Sequence, residues 1–360
     1  MSERPIVSDS PLFVPAAELG NEHYSFNRCR CCNRVFEPLN SEPFSSLNCQ
    51  HCGAKLVIPR TFGDYWLLER LSVTENNRVY LAQDPLLDRL VALKVVRPDK
   101  LDDELTERRR RRLYHDAQIQ TRIDNENAVA VYRACQLESK DFKITEFLSG
   151  GKLKFHENPD LRTDPVAALT GLAEVAALLD AAAEGGITHG NITPDHLIFN
   201  EQGSLKLINF RPAEDASAEV IMPPSEFIYS APERLLDYEL SPAGDVYSLG
   251  VVTYIYLANI HPMGYLGDVS ELDLVDRQQR NPVKPLKGLS NINDDGLFAF
   301  IETMLSPHPA ERPTAGEAAF ILLKAAGKIA RRRNIKMAMH RLSAKLQEGI
   351  AKLQVERDFG

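Results

Sequence analysis

Apolar and polar positions alternate from residue 62 onward. "FGDYWLLERL" reads as a half-buried strand, and "NNRVYLAQD" and "RLVALKVV" follow as two more, with Glu75-Asn76-Asn77 as the turn between the first pair. A charged helix is expected over roughly residues 102 to 123. After Gly150-Gly151 the pattern switches to helices. Asp164-Pro165 opens a long Ala/Leu helix, with Asp as N-cap and Pro at the first helical position. Gly185-Gly186 ends it, where a left-handed cap is natural. The run Val246 to Ile260 reads as a buried helix, and Thr314 with Glu317 forms a capping box before "AAFILLKAAGKIA". The predicted class is α+β: a strand-rich lobe over 60–150, then a helix-rich lobe over 151–328. Upstream lie a polar leader over 1–25, expected to be flexible, and a cysteine-bearing module over 26–58.

Composition narrows the classes. With 360 residues the chain exceeds what one core covers, so two or three domains are expected. Apolar residues at 44% and charged residues at 26% are ordinary for a globular protein. The net charge of −8 removes any general attraction to nucleic acid or to an anionic membrane. The first residues, MSERPIVSDSPLF, lack the apolar run of a secretory signal, and Val246 to Ile260 is too short to span a bilayer. A cytoplasmic location is the expectation.

Five of the six cysteines fall between positions 29 and 52. In a reducing compartment this points to metal rather than disulfides. Cys29-x2-Cys32, sixteen residues, then Cys49-x2-Cys52 is a paired-knuckle pattern: each C-x-x-C sets two thiolates on one tight turn, and two turns complete a tetrahedral shell around structural Zn²⁺. Cys31, beside Cys32, and His51, inside the second knuckle, are the local alternatives as ligands. A partner-docking role and a folding-cap role for this zinc-ribbon-like module both stand, with nucleic-acid binding behind them.

Seven fragments then follow in order: "VALKVV" (91–96), "FKITEFLSGGKL" (142–153), "ITHGNITPDHLIF" (187–199), "LKLINFRPA" (205–213), "YSAPERL" (229–235), "SPAGDVYSLGVVTY" (241–254) and "SPHPAERPT" (306–314). Their order and spacing over residues 60 to 328 resemble the bacterial eukaryotic-like Ser/Thr protein kinases. The resemblance implies a bilobal protein-kinase-like fold. It places Lys94 as the phosphate-pairing lysine of the third strand, Asp116 as its helix carboxylate and Thr145 as gatekeeper. It also implies architectural roles: Asp245 holding the catalytic-loop backbone, His189 and Phe210 stacking, and a Glu233–Arg312 ion pair anchoring the activation segment.

Against the family pattern, the residues of phosphoryl transfer are replaced. The catalytic base is Asn191, whose amide does not take up a proton at neutral pH. Thr193 stands for the loop lysine, His196 for the second metal ligand and Asn209 for the first. That pair suits hard Mg²⁺ poorly. Glu226 replaces the threonine that ties the activation segment to the loop, and Gly190 the arginine that would read phosphorylation. Ser72, Thr74 and Asn77 occupy the three glycine positions of the phosphate loop, with Glu75 at its tip. Loss of the base alone is worth roughly 10²- to 10⁴-fold in rate. Asp195, the nearest substitute base, lies beyond the loop proline and is expected to point away from substrate.

The expectation is therefore a pseudokinase acting as a regulatory or scaffolding module, with zinc as structural cofactor, ATP doubtful and Mg²⁺ not expected. Two rivals stand beside it. One is an atypical kinase or nucleotidyl transferase that keeps ATP through Lys94; the other is an adaptor working through the ribbon and basic surfaces. Protein partners are expected at the ribbon, at the Arg108–Arg112 run, or along a C-terminal basic amphipathic helix over 329–360, where Ile335, Met339, Leu342, Leu346, Ile350 and Leu353 form one apolar stripe. Packing against the large lobe, self-association and membrane-surface binding are all open for that stripe. Ser217, Ser225 and Tyr229 could accept phosphate.

Overall fold

A computed structural model describes residues 32, 34, 46–53, 55–57, 60–99, 102–137, 139–155, 162–210, 223–280, 283–290 and 292–334. The leader, Cys29, Cys31, Ser217 and the apolar stripe beyond residue 334 lie outside the described residues. The chain divides into two compact units: 1–122 with 129–148, and 123–128 with 149–360. The short segment 123–128 therefore joins the helical unit, although the alternation in the sequence had placed all of 60–150 in the strand-rich lobe. Its attachment is explicit: the Asn127 side chain donates to the Leu205 carbonyl at 2.9 Å, and Ala128 bridges Leu207 in parallel.

The first unit begins with a small antiparallel hairpin, β1 (Ser46–Asn48) and β2 (Lys55–Val57). A six-stranded antiparallel sheet follows, built from β3 (Arg60–Phe62), β4 (Tyr65–Val73), β5 (Asn77–Asp84), β6 (Arg89–Val96), β7 (Val131–Leu137) and β8 (Lys140–Glu146). Its spatial order is β3-β4-β5-β6-β8-β7. Helix α1 (Asp103–Thr121) intervenes between β6 and β7. Strand period sorts the side chains of β6. Val91, Leu93 and Val95 enter an apolar core with Phe142 and Ile144 of β8, where Phe62 meets Phe142 edge-on at 5.1 Å. Ala92 and Lys94 take the opposite face.

The second unit is helical apart from a small sheet ordered β11 (Leu205–Leu207), β10 (Leu197–Phe199), β9 (Gly151–Lys152). The helices are α2 (Pro165–Glu184), α3 (Pro224–Phe227), α4 (Pro232–Leu236), α5 (Pro242–Ala258), α6 (Glu271–Arg280), α7 (Asp295–Met304) and α8 over residues 315–334. Among the described residues α2 alone is long and apolar enough to cross a membrane, yet 56% of its window is buried inside the unit. It packs against α5, whose Tyr247, Tyr254 and Tyr256 are enclosed. Gly171 lets Leu205 press against α2, because a Cβ there would meet Leu205 Cβ at 2.6 Å.

Helix ends follow the expected chemistry. Asp164 accepts from the Val166 and Ala167 amides, and Thr314 and Glu317 exchange backbone bonds at 2.8 and 3.1 Å. Helix α2 passes through Gly185 to Gly186 at φ +69°, so the left-handed position falls on the second glycine. The far end of α8 meets two N-caps at once: Arg333 bonds Asp164, and Lys328 bonds Asp294, the N-cap of α7, at 2.8 Å. Asp164→Ala removes both the cap and the Arg333 partner. It should lower stability by about 1 kcal/mol in urea unfolding, whereas Asp164→Asn, which keeps an oxygen at the cap, should retain most of it.

Candidate functional site

In the helical unit, the segment 187–199 is held from behind by a buried carboxyl. Asp245 of α5 accepts from the His189 amide at 2.7 Å and from the Gly190 amide at 2.8 Å. Burial pushes this carboxyl up to about 7, against the two N–H groups, which favour the anion. His189 is fully enclosed and stacks edge-on against Phe210 at 4.6 Å. Its Nε2 donates to the Ile208 carbonyl at 3.0 Å and its Nδ1 accepts from the Asn191 amide at 3.2 Å, which fixes a neutral tautomer. Gly190 has φ +68°, a left-handed backbone that favours glycine, and a Cβ there would lie 2.6 Å from Leu240 Cδ2, a side-chain end that would have to shift.

The positions expected for chemistry are used to build the loop. His196 Nδ1 donates to the Asn191 carbonyl at 2.7 Å, closing the turn around the buried Thr193. Asp195 is exposed and paired with Lys152 of β9 at 2.7 Å. It also lies close enough to Tyr229 to add to the effect of burial, which together raise that phenol to about 12. Asn209 adopts φ +63°, a left-handed conformation that asparagine tolerates better than most residues. Glu233 and Arg312 form a bidentate pair at 2.5 and 2.8 Å, with the guanidinium also 4.9 Å from the centre of the Tyr247 ring.

In the strand-rich unit, the β4–β5 turn is closed on itself. Thr74 donates its amide to the Asn77 carbonyl at 2.9 Å, and the Asn77 amide donates to Thr74 Oγ1 at 3.0 Å. Arg97 reaches the Thr74 carbonyl at 2.6 Å. Two of the turn amides are thus spent on the turn itself. Thr145 lies across the ladder from Ala92 and donates to the Glu146 carbonyl at 3.2 Å.

The helix carboxylate departs from the sequence expectation. Asp116 was aligned with Lys94, yet its bonded partner is Lys143 of β8, at 2.6 Å, with Gln120 Oε1 accepting from the same ammonium at 3.0 Å. Lys143 stands opposite Lys94 in the β6–β8 ladder, so both lysines belong to one face of the sheet. Asp116, Gln120 and Lys143 are all buried, and Asp116 Oδ1 has no hydrogen-bond partner among the described residues. Sequence reading missed Lys143 because a lysine alternating with Phe142 and Ile144 looks like the wet face of a strand.

The Arg108–Arg112 run is substantially neutralised within its own unit. Arg108 pairs with Glu104, Arg109 with Asp99, Arg110 with Asp141 and Glu107, and Arg111 reaches Glu107 at 4.0 Å. In the cysteine module, the Sγ atoms of Cys32, Cys49 and Cys52 lie within 4.8 Å of one another.

Two outcomes test this arrangement. Lys143→Met strands a buried carboxylate and should cost about 3–5 kcal/mol in chemical denaturation, while the double change Lys143→Met with Asp116→Leu should recover most of it. For Asp245, the unfolded carboxyl ionises near about 4 and the folded one at about 7. Between those values the unfolded chain holds fewer protons, so stability falls as pH rises through that window. Asp245→Asn should flatten this slope in a pH series of melting curves and, by orphaning one backbone N–H, lower stability by about 1–3 kcal/mol.

A family model for the protein kinase domain matches residues 73–320, more than half of the chain. Among curated relatives, serine/threonine-protein kinase PrkC of Bacillus subtilis (strain 168) is 27% identical over 211 residues, 58% of this chain and 32% of its own length. The probable serine/threonine-protein kinase pknA2 of Bifidobacterium longum (strain NCC 2705) is 25% identical over 261 residues, 71% of this chain and 34% of its own. Serine/threonine-protein kinase PknL of Mycobacterium tuberculosis (strain ATCC 25618 / H37Rv) is 29% identical over 213 residues, 57% of this chain and 51% of its own. The chain therefore spans from about a third to about a half of the length of these relatives. The match runs from the β4–β5 hairpin into α8 and takes in the loop held by Asp245 and the Glu233–Arg312 anchor, so the chain belongs to the protein kinase domain family.

Proposed function

We propose that this protein kinase domain is a pseudokinase: a kinase-like regulatory or scaffolding module that transfers no phosphate. The catalytic loop carries the reading. Its base position is Asn191, and the one carboxylate between residues 187 and 199, Asp195, is turned to Lys152. An amide does not take up the proton of an attacking alcohol, and the Asp195 carboxylate is engaged by the Lys152 ammonium at 2.7 Å.

The donor set also fits Mg²⁺ poorly. Asn209 brings a neutral amide, and His196 has committed Nδ1 to the Asn191 carbonyl, which leaves a ring nitrogen where a hard cation prefers oxygen. In the strand-rich unit, Lys143 secures Asp116 through protein groups alone, so α1 needs no nucleotide to be held against the sheet. Such a domain works by binding a protein partner, for which the cysteine-bearing sequence and the sequence beyond residue 334 are the candidates.

A thermal-shift titration with ATP, alone and with Mg²⁺ or Mn²⁺, tests the proposal. A ligand at a hundred times its Kd would add about 2.7 kcal/mol of stability, which is readily measured. The expected result is no shift under any of the three conditions and no transfer of labelled γ-phosphate. A metal-dependent rise in Tm, with transfer abolished by Lys94→Met, would sink the reading.

A further inference from the structure

We infer that Cys32, Cys49 and Cys52, with Cys29 as the fourth ligand, form a closed all-thiolate zinc centre, whether or not the kinase-like domain transfers phosphate. The local backbone is already that of a metal knuckle. Cys49-Gln50-His51-Cys52-Gly53 joins β1 to β2, directly after the Asn48↔Lys55 end of the hairpin pairing begins to open. Gly53 donates its amide to the Cys49 carbonyl at 2.9 Å and takes φ +73°. A Cβ at Gly53 would meet nothing within 4 Å, so it is the left-handed backbone, not crowding, that selects glycine.

The third sulfur arrives from a separate segment. Cys32 Sγ lies 3.7 Å from Cys49 Sγ. With Zn–S bonds of about 2.3 Å, the edge of a tetrahedron is about 3.8 Å. A disulfide would draw two sulfurs to about 2.05 Å and leave the third without a role. A weak S–H···S contact accounts for one pair, but not for three thiols from two segments converging on one point. Cys49 is buried, Cys32 half-buried and Cys52 exposed, so the cluster runs from the interior to the surface of the loop.

His51 is not a ligand in this arrangement: it is exposed, and its Nδ1 faces the Arg34 guanidinium at 3.4 Å. Cys29 lies outside the described residues, and the repeated C-x-x-C spacing assigns it the fourth corner. Four thiolates accept zinc or iron, and of the two divalent ions zinc binds such ligands more tightly. With no open position the ion is structural. Only residues 58 and 59 separate β2 from β3, which is the edge strand of the six-stranded sheet. The centre is thus joined to the kinase-like domain through the border of that sheet.

The test is titration of the full chain with an organomercurial while released metal is read with a colorimetric zinc indicator. About one zinc per chain should appear in step with the reaction of four thiols. Cys32→Ser and Cys49→Ser should lose the metal, whereas Cys135→Ser and His51→Ala should keep it. Absence of metal from the wild-type chain, iron in place of zinc, or release by His51→Ala as complete as by Cys49→Ser would each overturn the assignment. The wild-type titration decides even where a serine variant fails to fold.

Discussion

One buried carboxyl organises the helical unit. Asp245 sits on a helix that is enclosed on nearly every side, and its two oxygens take the amides of His189 and Gly190. Because those amides belong to adjacent residues, the carboxyl fixes the local backbone direction as well as its position. His189 is thereby delivered to Phe210, and the polypeptide turns at Gly190 toward Asn191 and Thr193. The Glu233–Arg312 pair does the equivalent work farther along, tying α4 to the segment before α8. Both are interactions within the protein.

The groups that hold the backbone are present and bonded to one another. On the proposed reading, Asn191, His196 and Asn209 stand where a kinase would work on a nucleotide, and two of them share a hydrogen bond within the loop. The His196 ring braces the Asn191 carbonyl, and the Thr74–Asn77 turn binds its own amides. Polar groups with unmet hydrogen bonds are costly when enclosed, so these internal bonds stabilise the loop and the turn.

Much of the fold was legible because it depends on local rules. The strands β4, β5 and β6 were legible, although β4 does not alternate as expected but buries Trp66, Leu67 and Leu68 in succession and is bulged, and Asp164-Pro165 and Thr314/Glu317 marked where α2 and α8 begin. The partner of Asp116 was not legible. Two lysines on adjacent strands share a sheet face, and which one reaches α1 depends on the twist of the sheet and the placement of the helix, neither of which a strand pattern encodes. Likewise the arginine run was legible as a charged helix face but its longer-range pairings were not, since Asp99 and Asp141 lie on either side of α1 in the chain. The attachment of 123–128 to the helical unit rests on Asn127, an unremarkable polar residue until its amide is seen on the Leu205 carbonyl.

Gly190 limits what this turn can carry. Its left-handed backbone makes a side chain there strained, and a Cβ would press on a Leu240 methyl that must give way. The turn between His189 and Asn191 is thus tuned to a small residue, and the cost of enlarging it would be felt first at the Asp245 carboxyl, which takes the Gly190 amide.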